Sequence, residues 1–476
     1  MADPFVVVGG DAAGLSAASK CRRTDPDRDV VVFEKGQWIS YAHCGTPYFV
    51  KGEVEHLENL LSLSPAAVAE RGIDLRRGHE VVEVDTESRT VTVRAGGEPF
   101  EQPYGDLIIA TGARAVDDPI EGSSLDRVFT LHGLDDAAAI RAYLTPPDEF
   151  AVADLGGDDA VATDVAERYG AMTPPETVAI VGAGYVGVEM AEAFDAWDVD
   201  VHLFQRSARP VPGFGDAVGD AVIEVLRDAD VTTHFGEEVV RLRGDGGTVD
   251  AVVCDTGSEL DVDAALVGIG IRPNAELAAD TPINLGASGA VATDAYGRTS
   301  VGDVYAAGDV AEMPHTVTGE ATWDPLGLPA NRAGRAIGAT VGGKPTPVGS
   351  VAETAMVKAF DLECGRTGIL DHQRAREAGF DPVAKTITAG SRSGYYPGAA
   401  ETTVTLVADR DTGQLLGGSI AGTDRAAVRI DTVATALGGE LTVGELERQD
   451  LGYAPPFSPV WDPVLVAAKV LNGSLP

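Results

Sequence analysis

The sequence predicts an α/β protein of two doubly wound, parallel-sheet domains, the second inserted into the first, followed by a smaller α+β domain. Three observations carry this. An unbroken apolar strand runs into a glycine turn and a helix at residues 5–14, and the same pattern returns at 178–187. Each unit has a later echo, an apolar strand ending in glycine, at 107–112 and 265–270. Beyond Gly342-Gly343-Lys344-Pro345 the pattern changes to alternation, as at 402–407. Strands covered on both faces read as continuous apolar runs, whereas half-covered antiparallel strands alternate.

These signals place the first domain at 1–115 and 290–345, the inserted domain at 116–289 and the α+β domain at 346–476, with a helical pattern around 426–437. The chain's 476 residues agree with about three domains. The segment 146–175 is acidic and rich in Ala, Asp and Gly, and it reads as a surface insertion. The stretch 453–461 is too rich in proline for a helix or a central strand and reads as a docking loop.

Lys and Arg number 36 against 74 Asp and Glu, a net charge of −38. Such a charge repels phosphates, which argues against nucleic acid or an anionic membrane as partner. It fits a protein working in molar salt, where the Debye length falls to about 3 Å and self-repulsion is screened. No apolar run approaches the ~18 residues of a membrane span. Met1-Ala2-Asp3-Pro4 lacks a basic leader, so a cytoplasmic location is expected. Cys21, Cys44, Cys254 and Cys364 form neither a CxxC pair nor a zinc-like spacing, so no metal and no disulfide framework are expected.

The first glycine turn carries Gly9, Gly10 and Gly14, with Asp11 where the middle glycine of G-x-G-x-x-G would stand. Glu34 follows twenty residues after Gly14 at a strand end, where an acid accepts from ribose hydroxyls. The run 304–309 delivers Gly308-Asp309 at another strand end, placing Asp309 to accept from a ribityl hydroxyl. With Thr111 and Gly112, these point to FAD.

The second turn is complete, with Gly182, Gly184 and Gly187. The strand after it ends in Gln205-Arg206-Ser207, with Arg209 close behind, rather than in an acid. An acid selects the 2′-hydroxyl of NADH, whereas arginines pair with a 2′-phosphate, so NADPH is expected and NADH stays open. The plain alternative is a pair of surface arginines.

Cys44 lies in Ser40-Tyr41-Ala42-His43-Cys44-Gly45-Thr46-Pro47-Tyr48. A lone cysteine is often a small buried hydrophobe. Here Gly45, Thr46 and Pro47 suit a helix start, whose dipole favours a thiolate. With no neighbouring cysteine it would cycle through a mixed disulfide with a small thiol or through a sulfenic acid.

At these residues the chain resembles the pyridine nucleotide-disulfide oxidoreductases, and within them the single-cysteine branch of coenzyme A disulfide reductases, NADH oxidases and persulfide reductases. The 40–48 motif is most similar to that of the coenzyme A disulfide reductases, with His43 in place of their usual asparagine. The resemblance implies FAD contacts also at Lys35 and Val81, and NAD(P) contacts at Tyr185, Val186 and Gly270. Glu189, one turn into the second helix, would orient flavin or nicotinamide, or be a routine helix glutamate. Coenzyme A would be bound by Ser16, Lys20, Arg22, Arg23, Ser40, His43, Arg71 and Asn331. The branch implies a homodimer in which Tyr395 and Tyr453 of one subunit reach Cys44 of the other. NAD(P)H would then reduce a small disulfide, most like coenzyme A disulfide, through a Cys44 mixed disulfide. An oxidase using a Cys44 sulfenic acid and a polysulfide reductase are the alternatives.

Overall fold

The computed structural model describes residues 3–156 and 160–476. Its first layer is a five-stranded parallel sheet ordered Val304–Ala306, Asp106–Ile109, Phe5–Val8, Val30–Glu34, Asp74–Arg77. The edge strand comes from almost two hundred residues beyond its neighbour, so the chain leaves this layer and returns to it. A second parallel sheet runs Thr232–Phe235, Asp200–Gln205, Thr177–Val181, Ala264–Val267, Val128–Phe129. Phe5–Val8 is buried at every position and Thr177–Val181 at all but its first residue, as strands covered on both faces require.

Helix Ala12–Thr24 crosses helix Gly327–Val341 at unusually short range. A Cβ on Gly334 would lie 2.1 Å from the Ala13 carbonyl oxygen, and one on Gly338 would lie 2.2 Å from that of Ala17. Small residues four apart on both helices thus let the backbones touch. This contact anchors the returning segment against the first glycine turn.

The C-terminal part is an antiparallel sheet, Ala355–Ala359, Leu362–Gly368, Leu415–Gly422, Glu401–Asp409, Pro382–Gly390. Helices Ile430–Gly438 and Pro463–Asn472 pack on it through Val433, Leu437, Val464 and Leu471. Among the described residues, no helix is long and apolar enough to cross a membrane.

The acidic segment 146–175 departs from its expected form. Residues 157–159 lie outside the described residues, but helix Thr163–Gly170 follows them. Leu155, Val161, Ala166 and Tyr169 are buried in a core shared with helix Leu134–Leu144. Tyr169 donates its hydroxyl to Asp126 at 2.9 Å. The segment is an amphipathic cover whose larger apolar side chains, Leu155, Val161 and Tyr169, are buried while Val165 stays exposed, which composition alone does not register.

The second turn yields a stability test. A Cβ on Gly187 would fall 1.8 Å from the Gly182 carbonyl oxygen, a backbone atom that cannot move aside. Gly187→Ala is expected to cost about 1–3 kcal/mol, seen as a lower melting temperature, and to raise KM for the nicotinamide nucleotide while FAD content holds. An unchanged melting curve would show that the turn relaxes freely.

Candidate active site

The first glycine turn is built for close approach. Gly9 has φ +109° and its Cβ would lie 2.2 Å from the Ala110 carbonyl oxygen, while a Cβ on Gly14 would meet the Gly9 carbonyl oxygen at 1.9 Å. Glu34 accepts from the Gly10 N–H at 2.8 Å and the Gly36 N–H at 2.7 Å, which fixes its carboxylate beside the turn. Lys35 next to it is exposed, and Val81 is buried near the same strand end. Asp309 sits part-buried at the end of Val304–Ala306; burial pushes its carboxyl up to about 6, against the lowering effect of His43. Thr111 spends its hydroxyl on the Asn274 carbonyl (2.7 Å) and its carbonyl on the Asn274 side-chain amide (2.9 Å), leaving the open space at Gly112 to face a ligand. A glycine turn without side-chain cap, an oriented ribose acid and a carboxyl aimed from a third strand together fit FAD.

Cys44 lies in the single turn His43–Gly45 that leads into helix Thr46–Lys51. Its thiol is exposed, whereas Cys21, Cys254 and Cys364 are buried. Burial raises Cys21 to about 11 and Cys364 to about 12, so both are inert thiols. The expected lowering of Cys44 by its helix is not found. Burial and then the Glu189 carboxylate push it up, and a backbone hydrogen bond offsets them only in part. A six-residue helix supplies too small a dipole to outweigh burial and a nearby acid together.

Glu189 itself is no routine surface glutamate. It stands on helix Tyr185–Asp195, accepts from the Tyr48 hydroxyl at 3.0 Å, and is raised by burial to about 7. One turn on, Glu192 is buried and accepts from Lys51 at 2.7 Å, from Lys358, and from the Phe360 N–H at 2.9 Å. Glu192 and Tyr48 escaped the sequence reading as functional positions; the i, i+3 spacing of Glu189 and Glu192 was the available signal.

On the same side, Asp11, Ser16, Ser40, Tyr41, Arg71 and Asn331 line a cavity together with Arg23 and Arg335. Arg71 donates to Ser19 at 2.9 Å and Ser16 donates to Asn331 at 2.8 Å. Burial lowers the Arg23 pKa, and the Arg335 and Arg71 charges lower it further, so three guanidinium groups converge here. Arg335, one helical turn beyond Asn331, was missed. Arg22 must be taken out of the substrate set: it donates to the carbonyls of Pro26 (2.5 Å), Arg28 (2.7 Å) and Arg71 (3.3 Å) and braces the chain turn. Lys20 does not line the cavity. His43 turns toward Asp11 instead of Cys44, with Nε2 at 2.6 Å from Asp11 Oδ2. Burial, which lowers the His43 pKa, is outweighed by that hydrogen bond and charge, and the net shift is upward.

In the second turn Gly182 has φ +104° and its Cβ would lie 2.4 Å from the Gly268 carbonyl oxygen, whereas the space at Gly184 is open. Gln205 accepts from the Ala183 N–H at 3.1 Å, the same relation that Glu34 has to Gly10. A neutral amide therefore occupies the ribose-acid position. Arg206 is exposed beside it, while Arg209 is paired with Asp220 at 2.6 Å and Asp216 at 3.6 Å on the surface. Tyr185 accepts from Arg366 at 3.1 Å, and Val186 and Gly270 (φ +126°) flank the turn. The residues fit a nicotinamide dinucleotide.

Tyr395 and Tyr453, 58 residues apart, meet with their hydroxyls 3.4 Å apart on exposed loops. Arg392 pairs with Asp424, while Arg429 binds Asp462 at 2.9 Å and the carbonyls of Ser391 (2.6 Å) and Phe457 (3.0 Å), holding both loops.

The Glu189 charge adds to burial in holding the thiol up. Glu189→Gln removes the facing carboxylate, so Cys44 is expected to form its thiolate at lower pH, displacing the pH profile of iodoacetamide alkylation downward. A profile that stays in place would mean that Glu189 does not sense the thiol.

Comparisons agree with this geometry. The family model for pyridine nucleotide-disulphide oxidoreductases matches residues 3–323, and the model for their dimerisation domain matches 354–463. The chain is 38% identical over 474 residues to an NAD(P)H coenzyme A polysulfide/persulfide reductase of Pyrococcus horikoshii, covering 99% of each. It is 31% identical to an NADH oxidase of Methanocaldococcus jannaschii (98% of this chain, 97% of the relative). It is 27% identical to a coenzyme A disulfide reductase of Staphylococcus haemolyticus (95% and 96%). The chain belongs to the pyridine nucleotide-disulphide oxidoreductases, flavoprotein enzymes that use FAD and NAD(P)H.

Proposed function

We propose that this flavoprotein reduces coenzyme A disulfide, or a closely related low-molecular-weight disulfide, at the expense of NAD(P)H, through a mixed disulfide on Cys44. The observation that carries this reading is a cavity holding Arg23, Arg71 and Arg335, lined also by Ser40 and Tyr41 of the segment that leads to the exposed Cys44. Guanidinium groups match phosphate oxygens in geometry and charge, and coenzyme A is a thiol bearing several phosphates. In a chain of net charge −38, three converging arginines are a local exception that an anionic ligand explains.

Bound FAD supplies the two-electron relay between NAD(P)H and the disulfide. Cys44 holds one half of the substrate covalently: its thiolate attacks coenzyme A disulfide, one thiolate leaves, and the second is released when the mixed disulfide is reduced. NAD(P)H, one proton and one disulfide thus become NAD(P)+ and two thiols. Glu189, with its pKa of about 7, exchanges a proton near the thiol at working pH. In the homodimer that the dimerisation domain supports, Tyr395 and Tyr453 of the partner subunit protonate the leaving thiolate. Gln205 and Arg206 favour NADPH over NADH. Free cysteines suit the reducing cytoplasm, and the acidic surface suits high salt.

Cys44→Ser should retain its flavin and lose anaerobic NADPH oxidation with coenzyme A disulfide by at least about a hundredfold. Turnover that requires oxygen, or that responds to polysulfide alone, would replace this reading by an oxidase or a sulfur reductase. Arg206→Ala should raise KM for NADPH about tenfold and leave KM for NADH within about twofold; equal effects would remove the 2′-phosphate assignment.

A further inference from the structure

Asp11 and His43 are two unusual residues of the site, and they touch. Asp11 replaces the middle glycine of the first turn, His43 precedes Cys44, and the two meet across 32 residues at 2.6 Å. His43 Nδ1 lies 2.8 Å from the His132 carbonyl oxygen. A carbonyl oxygen only accepts, so Nδ1 carries a proton; an ionised carboxylate only accepts, so Nε2 carries one too. With both nitrogens facing acceptors, this geometry favours the imidazolium, in line with the upward shift of the His43 pKa. Asp309 contributes a further negative charge, and the Tyr41 ring lies against it at 4.2 Å.

Asp11 is the N-cap residue of the thirteen-residue helix Ala12–Thr24, yet its side chain makes no cap bond. Aspartate is among the strongest N-caps, and its carboxylate ordinarily folds over the free N–H groups of the first turn. Here one oxygen is held by His43 and the other accepts from the Tyr41 N–H at 2.9 Å. Those N–H groups are also where a dinucleotide's pyrophosphate binds in this kind of turn. A carboxylate folded onto them would compete for the same donors and repel the phosphates.

We infer that His43 is a positioning residue for FAD: its cation draws the Asp11 carboxylate off the helix N-terminus and cancels its charge, so that a turn lacking its middle glycine still accepts the flavin pyrophosphate. The two departures compensate each other. The inference concerns the flavin site alone and stands whichever disulfide is reduced.

The test is FAD release from the holoenzyme, followed by flavin fluorescence on serial dilution at fixed salt, with thermal unfolding as a control for the fold. His43→Asn should weaken FAD binding about tenfold or more, because Asp11 is freed to cap the helix. The double variant Asp11→Gly with His43→Asn should recover wild-type affinity to within about twofold. Asp11→Asn should bind FAD at least as tightly as wild type, since it removes the charge that His43 offsets. Wild-type affinity in His43→Asn overturns the inference, as does equal weakness in the single and double variants, which would give His43 a role independent of Asp11. If His43→Asn does not fold, the double variant decides: tight binding supports the compensation, and weak binding overturns it.

Discussion

One buried carboxylate sets the relative positions of the three functional parts. Glu192 belongs to the helix after the second glycine turn, Lys51 ends the helix that begins beside Cys44, and Lys358 and Phe360 belong to the C-terminal sheet or its edge. A single acid thus joins the nucleotide helix, the thiol helix and the C-terminal domain. Losing Glu192 would leave Lys51 and Lys358 without their shared partner, at a cost below the ~3–5 kcal/mol of a fully buried pair because both lysines keep some contact with water. The consequence for chemistry lies one turn away. Because Glu192 fixes the rotation of its helix, Glu189 is aimed at Tyr48 and Cys44 and not at solvent.

That aim explains the acidity of the site. A thiol is a useful attacking and leaving group when its pKa lies near the ambient pH. Burial and Glu189 both hold Cys44 above its usual value, while Glu189 is raised to about 7. Protonating Glu189 removes the nearest charge that opposes the thiolate, and burial remains as the larger cause of its raised pKa. Proton occupancy and thiol reactivity are therefore linked through one facing carboxyl.

The layers were legible in the sequence because parallel strands buried on both faces leave an unmistakable apolar run, and because a strand, a glycine turn and a helix must follow one another. Cys44 was legible for the same reason, standing just past such a strand. What could not be read were residues whose role depends on a partner far along the chain. Arg22 and Arg23 are adjacent and chemically alike, yet one is spent on three carbonyls and the other opens into the cavity. Arg209 looked equivalent to Arg206, yet it is paired with Asp220 on the surface. Arg335 gave no local motif, and the i, i+3 spacing of Glu192 from Glu189 did not by itself reveal the two lysines that Glu192 meets through tertiary contacts. The sign of the Cys44 shift was missed because a short helix was weighed without the acid opposite it.

The proposed mixed-disulfide cycle gives the exposed tyrosines a use. Tyr395 is 76% exposed, and Leu328, Phe457 and Val460 are each 60% exposed or more, a set of large side chains without cover in one chain. Apolar surface of this kind marks an interface. The loops bearing Tyr395 and Tyr453 are nonetheless held by part-buried arginine–carboxylate pairs, so they are preorganised before any partner arrives. The two hydroxyls meet each other, and among the described residues neither has a hydrogen bond to the thiol of its own chain. A rigid, exposed pair of phenols makes chemical sense when presented to a second subunit. A lone cysteine makes sense when its second sulfur comes from a small molecule and its proton donors come from a neighbour.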